Sequence, residues 1–337
     1  MIKNNKFFIK NLKKIFFLGS SKYFKQLIDI NSQLKIVTHI ITTDAQKKEV
    51  PKKLEHFVFN KVDDKFKSFI KKKTDLERSL FISLGARYIF KANTINQLFR
   101  KNLINFHSTR LPYDAGGADI TWRILREDRI DNQLCHIIDE GLDTGPVIDS
   151  SNSIYPKSCI IPADFKKFRK KLFLEFYKKT ISNLKKGGFF ELKNNPSYIG
   201  RYNSRINTEI DGIIDWNLNP YDLISFINAF DEPYKGASTF LNTGNFGKIF
   251  IKSAQLHAGD SSNHPYMSGI VSRHDKDWLV VCTNSKHSLL IEKVIDKKGE
   301  NIIKKIKVGD RFYSPSAELE KAKKTRITYT SSGMKEK

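Results

Sequence analysis

The first half of this 337-residue chain alternates short apolar runs with helix-like segments, and that alternation leaves few folds open. Residues 14–20, Lys-Ile-Phe-Phe-Leu-Gly-Ser, read as a buried first strand ending in a turn. A helix is expected over 22–30, a second strand over 36–42, a short third over 56–59, and helical spacing over 61–72. The apolar run 80–84 is closed by Gly85, residues 94–100 look helical, and 103–107 and 134–138 read as further strands. Apolar runs without polar alternation, separated by helices, require a parallel sheet covered on both faces. The expected class is α/β, a Rossmann-like, mostly parallel sheet with helices on both faces. Ligands of such sheets bind beyond the carboxyl ends of strands, and His107 and Asp139 fall at or just past such ends.

Residues 162–187 carry Phe165, Phe168, Leu172, Phe176, Ile181 and Leu184 at helical spacing, and Gly187-Gly188 ends the pattern. A catalytic domain is therefore expected over 1–188, with a connector over 189–212. After 212, and past a helix at 220–230, short runs are divided by turns such as 242–245, 259–262 and 284–285. That texture predicts a smaller C-terminal β-barrel-like domain over 213–315. The charged segment 316–337 is expected to be a flexible tail.

Composition narrows the class further. A net charge of +23 suggests a polyanionic partner. The excess is 46 Lys against 13 Arg, though, and the lysines are spread along the chain. Phosphate-reading surfaces favour the bidentate Arg fork, so a solvated Lys-rich surface explains the charge. Three widely spaced cysteines, Cys135, Cys159 and Cys282, exclude a disulfide scaffold and a Cys-cluster zinc site. They suit a reducing cytoplasm. No apolar run approaches 18 residues, so membrane insertion is not expected. Residues 1–14 are basic, but the apolar run after them is too short for a signal peptide.

Gly19 stands alone after the first strand, without the Gly-x-Gly-x-x-Gly of a dinucleotide site. The dense region is 104–149. Asn105 and His107 alternate along one strand, so both side chains take one face. Asp143 sits in a glycine-flanked loop after the next strand. An amide that can donate to an oxyanion, an imidazole that can move a proton and a carboxylate that orients it suit acyl transfer to an amine.

These residues carry a resemblance. Asn105-Phe106-His107, Leu111-Pro112, Gly116-Gly117 and the run 140–145, Glu-Gly-Leu-Asp-Thr-Gly, resemble the motifs of the folate-dependent formyltransferases. The runs 211–216 and 231–237 resemble that family's domain join and the segment after it. The likeness extends over roughly 13–295. It implies Asn105, His107 and Asp143 as catalytic trio and 10-formyltetrahydrofolate as co-substrate, with no metal required. It places the pterin against Gly85, Tyr88, Ile89 and Phe90 and against Ile138, Asp139, Gly141 and Asp143, largely through backbone groups.

Two branches of that family share the two-domain layout. The resemblance favours the branch acting on nucleotide-linked amino-deoxysugars such as dTDP-sugars, with a place in lipopolysaccharide or O-antigen biosynthesis. The connection 44–55 is too short for the long basic insertion of the branch acting on initiator methionyl-tRNA, and Ser108-Thr109-Arg110 and Gly116-Gly117-Ala118-Asp119 depart from its pattern. tRNA is thus the alternative partner. The acceptor is expected against Ser108, Arg110, Tyr113, Gly116, Gly117 and Trp122. Arg110 is a candidate for a diphosphate, with a structural ion pair as the alternative, and Trp122 is as readily core. A nucleic-acid-binding protein without catalysis is the remaining alternative, and chains of this size often form homodimers.

Overall fold

The computed structural model describes residues 2–196, 199–258, 262–330 and 333–336. Of the turn expected at 259–262, only Ser262 lies within the described residues. Seven strands form the main sheet: Lys14–Gly19 (β1), Val37–Thr43 (β2), His56–Phe59 (β3), Ser79–Leu84 (β4), Leu103–His107 (β5), Ile130–Ile137 (β6) and Val147–Ile154 (β7). Their order is β7-β6-β5-β4-β1-β2-β3. The five strands β1 to β5 are parallel, β6 runs antiparallel to β5, and β7 antiparallel to β6.

The period of two along β1 explains why both faces are covered. Ile15 and Phe17 enter one apolar cluster with Phe24 and Leu27 of helix Phe24–Gln33 and with Phe173, Phe176 and Tyr177 of helix Pro162–Lys185. Phe16 and Leu18 enter the opposite cluster with Phe66 and Ile70 of helix Asp64–Lys73. Asp63 caps that helix, its side chain accepting from Phe66 N. Each fully buried aromatic here stabilises by roughly 1.5–3 kcal/mol relative to exposure.

The sequence reading missed the first half of β6 and all of β7. Asp131, Asn132, Gln133 and His136 on β6 are polar yet buried. Each makes at least one side-chain hydrogen bond or ion pair. Arg169 Nε lies 2.9 Å from Asp131 Oδ1, which also accepts from Tyr155 Oη at 2.5 Å. Arg169 Nη2 reaches Asp119 Oδ2 at 2.7 Å, and fully buried Arg123 holds Asp119 Oδ1 at 2.8 Å. This network ties helix Asp119–Leu125 to β6 and to the long helix, and so fixes the turn Gly116–Ala118 that precedes it.

The second unit carries Ala237–Leu241, Ile249–Ala258, Val271–Asp275, Trp278–Cys282, His287–Ile295 and Phe312–Tyr313 in one antiparallel sheet. The sheet curls until its edges meet: Ile270 bridges Arg311, and Val271 N and Phe312 N donate to Asp310 O and Gly269 O. The barrel is filled by Ile251, Val271, Leu279, Val281, Leu289 and Ile291. Trp216 stacks on Phe312, with ring centroids 5.7 Å apart, at the join.

The segment expected to be a flexible tail is a correction. Residues Ser316–Lys324 form a helix, and Ile327–Thr330 pairs with Gly333–Glu336 as a hairpin. Local charge hid both, because their partners lie far away in sequence. Among the described residues no helix is long and apolar enough to cross a membrane.

Candidate active site

The site forms where β5 and β6 end. In register, Asn105 stands opposite His136 across the antiparallel pair. Ile104 and Phe106 point into the core, so Asn105 and His107 take the other face. The loop from Ile138 to Pro146 then brings Asp143 back over both histidines. His107 Nδ1 lies 3.5 Å from Asp143 Oδ2, and His136 Nε2 lies 3.6 Å from Asp143 Oδ1. All three predicted catalytic groups therefore meet, and His136 joins them. Sequence reasoning passed over His136 as strand interior. The available signal was its position seven residues before Asp143, on the strand paired with Asn105.

His136 fixes Asn105. Its Nδ1 lies 2.9 Å from Ile137 O, which assigns the proton of a neutral ring to Nδ1. Nε2 then accepts from Asn105 Nδ2, 3.2 Å away. One amide hydrogen of Asn105 is spent on His136, and the other is left for a ligand.

Asp143 is held in an unusual conformation. Its φ is +56°, a left-handed geometry rare outside glycine. Gly116 N donates to its Oδ2 at 2.9 Å, and Asn195 Nδ2 donates to its carbonyl at 2.7 Å. Gly145 permits the loop's close approach, since a Cβ there would lie 1.9 Å from Ile137 O. Asp139 staples the same loop, accepting from Thr144 Oγ1 at 2.5 Å.

Burial alone would raise the Asp143 pKa, but the adjoining His107 charge outweighs it and holds the carboxyl well below the usual range. Burial disfavours a charged His107 as well. The carboxylates of Asp143 and, farther off, Asp119 prevail over burial and Arg169, so the imidazole pKa lies above its ordinary 6.5. The His107 side chain is 25% exposed and Asp143 8%, so the pair opens to the cleft through the histidine. Nδ1 faces the carboxylate, which leaves Nε2 for an incoming group.

The cleft above these groups has a volume of about 270 Å³. Gly85, Ile89, Phe90, Ile138, Asp139 and Gly141 line one side, and Gly116 and Gly117 the other. Tyr88, expected beside them, instead packs edge-on between Phe59 and Phe90. Burial pushes its phenol pKa up. Gln46 shapes the first lip, with Nε2 donating to Gly85 O at 2.8 Å and Oε1 accepting from Arg87 N at 3.2 Å.

Four residues expected to touch the acceptor do not line this cleft. Arg110 pairs with Asp114 at 3.3 Å and lies 3.9 Å from Asp128. Ser108 Oγ donates to Gln133, Trp122 Nε1 donates to Ser204 O at 2.9 Å, and Tyr113 is 52% exposed outside it. His107, His136 and Asp143 also place one ligand atom each within 4.8 Å of one another, a donor set compatible with a divalent cation.

A parallel sheet with an amide, an imidazole and a carboxylate at its carboxyl edge, followed by a curled antiparallel sheet, is an arrangement that can support group transfer. Residues 206–306 match the formyl transferase C-terminal domain. The methionyl-tRNA formyltransferase of Legionella pneumophila (strain Paris) is 29% identical over 205 residues, 58% of this chain and 59% of that protein. The chain thus spans under two thirds of that relative's length. The crystal structure of the sugar 3-N-formyltransferase WlaRD, with dTDP and 5-N-formyltetrahydrofolate, superposes with a TM-score of 0.60 at 17% identity, over 84% of this chain and 98% of that one. An N-formyltransferase from Helicobacter canadensis, in complex with folinic acid and dTDP-3-aminofucose, gives 0.61 at 16% identity, over 83% and 99%. The chain is thus similar to the formyltransferases in sequence and in fold, and carries their C-terminal domain over residues 206–306.

Proposed function

We propose that the protein transfers a formyl group from 10-formyltetrahydrofolate to the amine of a nucleotide-linked amino-deoxysugar. The observation that carries this reading is the convergence of Asn105, His107 and Asp143 on one cleft, with His136 orienting the amide. Gly85, Ile89, Phe90 and the loop from Ile138 to Asp143 would hold the folate. The neutral amine attacks the formyl carbon. Asn105 donates its free amide hydrogen to the developing oxyanion. Neutral His107 takes the amine proton on Nε2, and Asp143 stabilises the resulting imidazolium. The carbon–nitrogen bond to the folate then breaks, and the proton returns to the leaving nitrogen. Three free, buried cysteines suit a reducing cytoplasm as the compartment.

The sugar acceptor is supported by the short connection from Thr43 to His56, which leaves little room for a basic RNA-binding insertion. The methionyl-tRNA reading is favoured by the sequence relatives. One assay separates them: formyl transfer from 10-formyltetrahydrofolate to amino-deoxysugars linked to dTDP, UDP or GDP, and to charged initiator tRNA. Turnover of a nucleotide sugar with tRNA inert is expected. Turnover of tRNA alone overturns the sugar reading, and no transfer to either class overturns both.

A further inference from the structure

Past residue 306, where the matched family domain ends, the chain returns to the cleft. The hairpin Ile327–Thr330 with Gly333–Glu336 is tied to both sides of it. On one side Ile327 bridges Arg205, and Asn207 Nδ2 donates to Glu336 Oε2 at 3.1 Å. On the other, Thr330 O accepts from Ile89 N at 3.1 Å. Strand alternation puts Tyr329 on the face of Ile327. Between the two ties, Tyr329 lines the cleft together with Arg205, Asn105, His107 and Asp143.

Gly117 makes room for both side chains. A Cβ built there would lie 3.2 Å from Tyr329 Oη and 3.2 Å from Arg205 Cδ. Both would then have to give by a few tenths of an ångström. Among the described residues Arg205 makes no ion pair, unlike Arg110, Arg123, Arg126 and Arg169 around the same site. A cation without a carboxylate partner, on the wall of a cleft that holds Asp143 and Asp139, offers paired oxygens a place to bind. A half-buried tyrosine beside it supplies a ring face and one hydroxyl.

We propose that this C-terminal hairpin is the outer wall of the acceptor subsite, with Arg205 binding the acceptor's phosphate groups and Tyr329 its sugar or base. The proposal rests on the nucleotide-sugar reading above. It makes the hairpin strands Ile327–Thr330 and Gly333–Glu336 part of the site, although they lie outside the matched C-terminal domain.

Calorimetric titration tests it without turnover. The full chain, a chain ending at Thr325, Arg205→Gln and Tyr329→Ala are each titrated with dTDP, UDP and GDP, and with folinic acid. Truncation and Arg205→Gln should weaken the tightest nucleotide at least about tenfold, as expected for losing a charge-assisted contact. Folinic acid should stay within about twofold. The point variants stand alone if the truncated chain fails to fold. Unchanged nucleotide binding in all three variants overturns the proposal. Tighter binding of either ligand after truncation also overturns it, because the hairpin would then be a plug. A full chain that binds folinic acid but no nucleotide overturns the hairpin's role and leaves folate chemistry standing. A full chain that binds neither overturns the formyl-transfer reading as well.

Discussion

Asn105 and His136 face each other across two antiparallel strands, with the amide nitrogen of one 3.2 Å from Nε2 of the other. The contact turns a flexible amide into a fixed donor. Replacing Asn105 with Ala should lower kcat by about a hundredfold or more, the usual cost of losing an oxyanion donor. His136→Ala should lower kcat by about tenfold to a hundredfold with KM little changed, because it acts through Asn105. The double variant should be little worse than Asn105→Ala alone, since one function is lost twice. Additive losses in kinetic assays would mean that His136 acts independently.

The His107–Asp143 pair predicts the pH profile. A base must be neutral, so kcat should rise with pH through the His107 pKa, which lies above 6.5. Asp143→Asn removes the main charge that raises it, so the limb should move to lower pH while kcat falls by about a hundredfold or more. His107→Asn should abolish the limb. A rate that falls with pH through the same value would make His107 a proton donor instead.

The same pair bears on folding. The raised His107 pKa contributes stability below the unfolded-state value near 6.5, and that contribution fades as pH rises through the folded value. The depressed Asp143 pKa contributes above 3.8 and fades as pH falls through its folded value. Thermal melts of wild type and His107→Asn should therefore differ most at mildly acidic pH and converge on the alkaline side. A gap that persists there would assign the difference to packing.

Arg169 joins Asp119 on one helix to Asp131 on β6, and neither carboxylate is more than 12% exposed. Arg169→Met leaves both without this partner and should destabilise by about 3–5 kcal/mol, read from urea midpoints. Arg110→Ala removes one of the partners of Asp114, which Arg126 and Arg201 also hold. It should lower the melting temperature slightly and leave the acceptor KM within about twofold. A large rise in KM would return Arg110 to the substrate.

The proposed chemistry of the amide, imidazole and carboxylate uses no Lewis acid. Dialysis against a chelator should leave turnover within about twofold, and added zinc should inhibit by binding His107, His136 and Asp143. Loss of activity on dialysis, restored by a divalent cation, would assign the cluster to a metal.

What was legible in the sequence follows from what apolar periodicity reports. The strands at 14–19, 56–59 and 103–107 and the long helix were visible because their cores are hydrocarbon. Asn105, His107 and Asp143 were visible through their motif. Asp131 and Gln133 gave no strand signal because a sequence does not display the Arg169 and Tyr155 groups that satisfy Asp131, which in turn accepts from Gln133. Arg110 left two readings open in sequence, a diphosphate contact or a structural ion pair, and in space it is ion-paired with Asp114. The hairpin at 327–336 was illegible because its partners, Arg205, Asn207 and Ile89, lie more than a hundred residues away.

The barrel closes on itself through Ile270 and Arg311. Around Gly269–Val271 and Gly309–Phe312 the two edges spend backbone donors and acceptors on each other, which shortens the open edge that strand-by-strand aggregation needs. Any partner of that domain must be read by its side chains and loops.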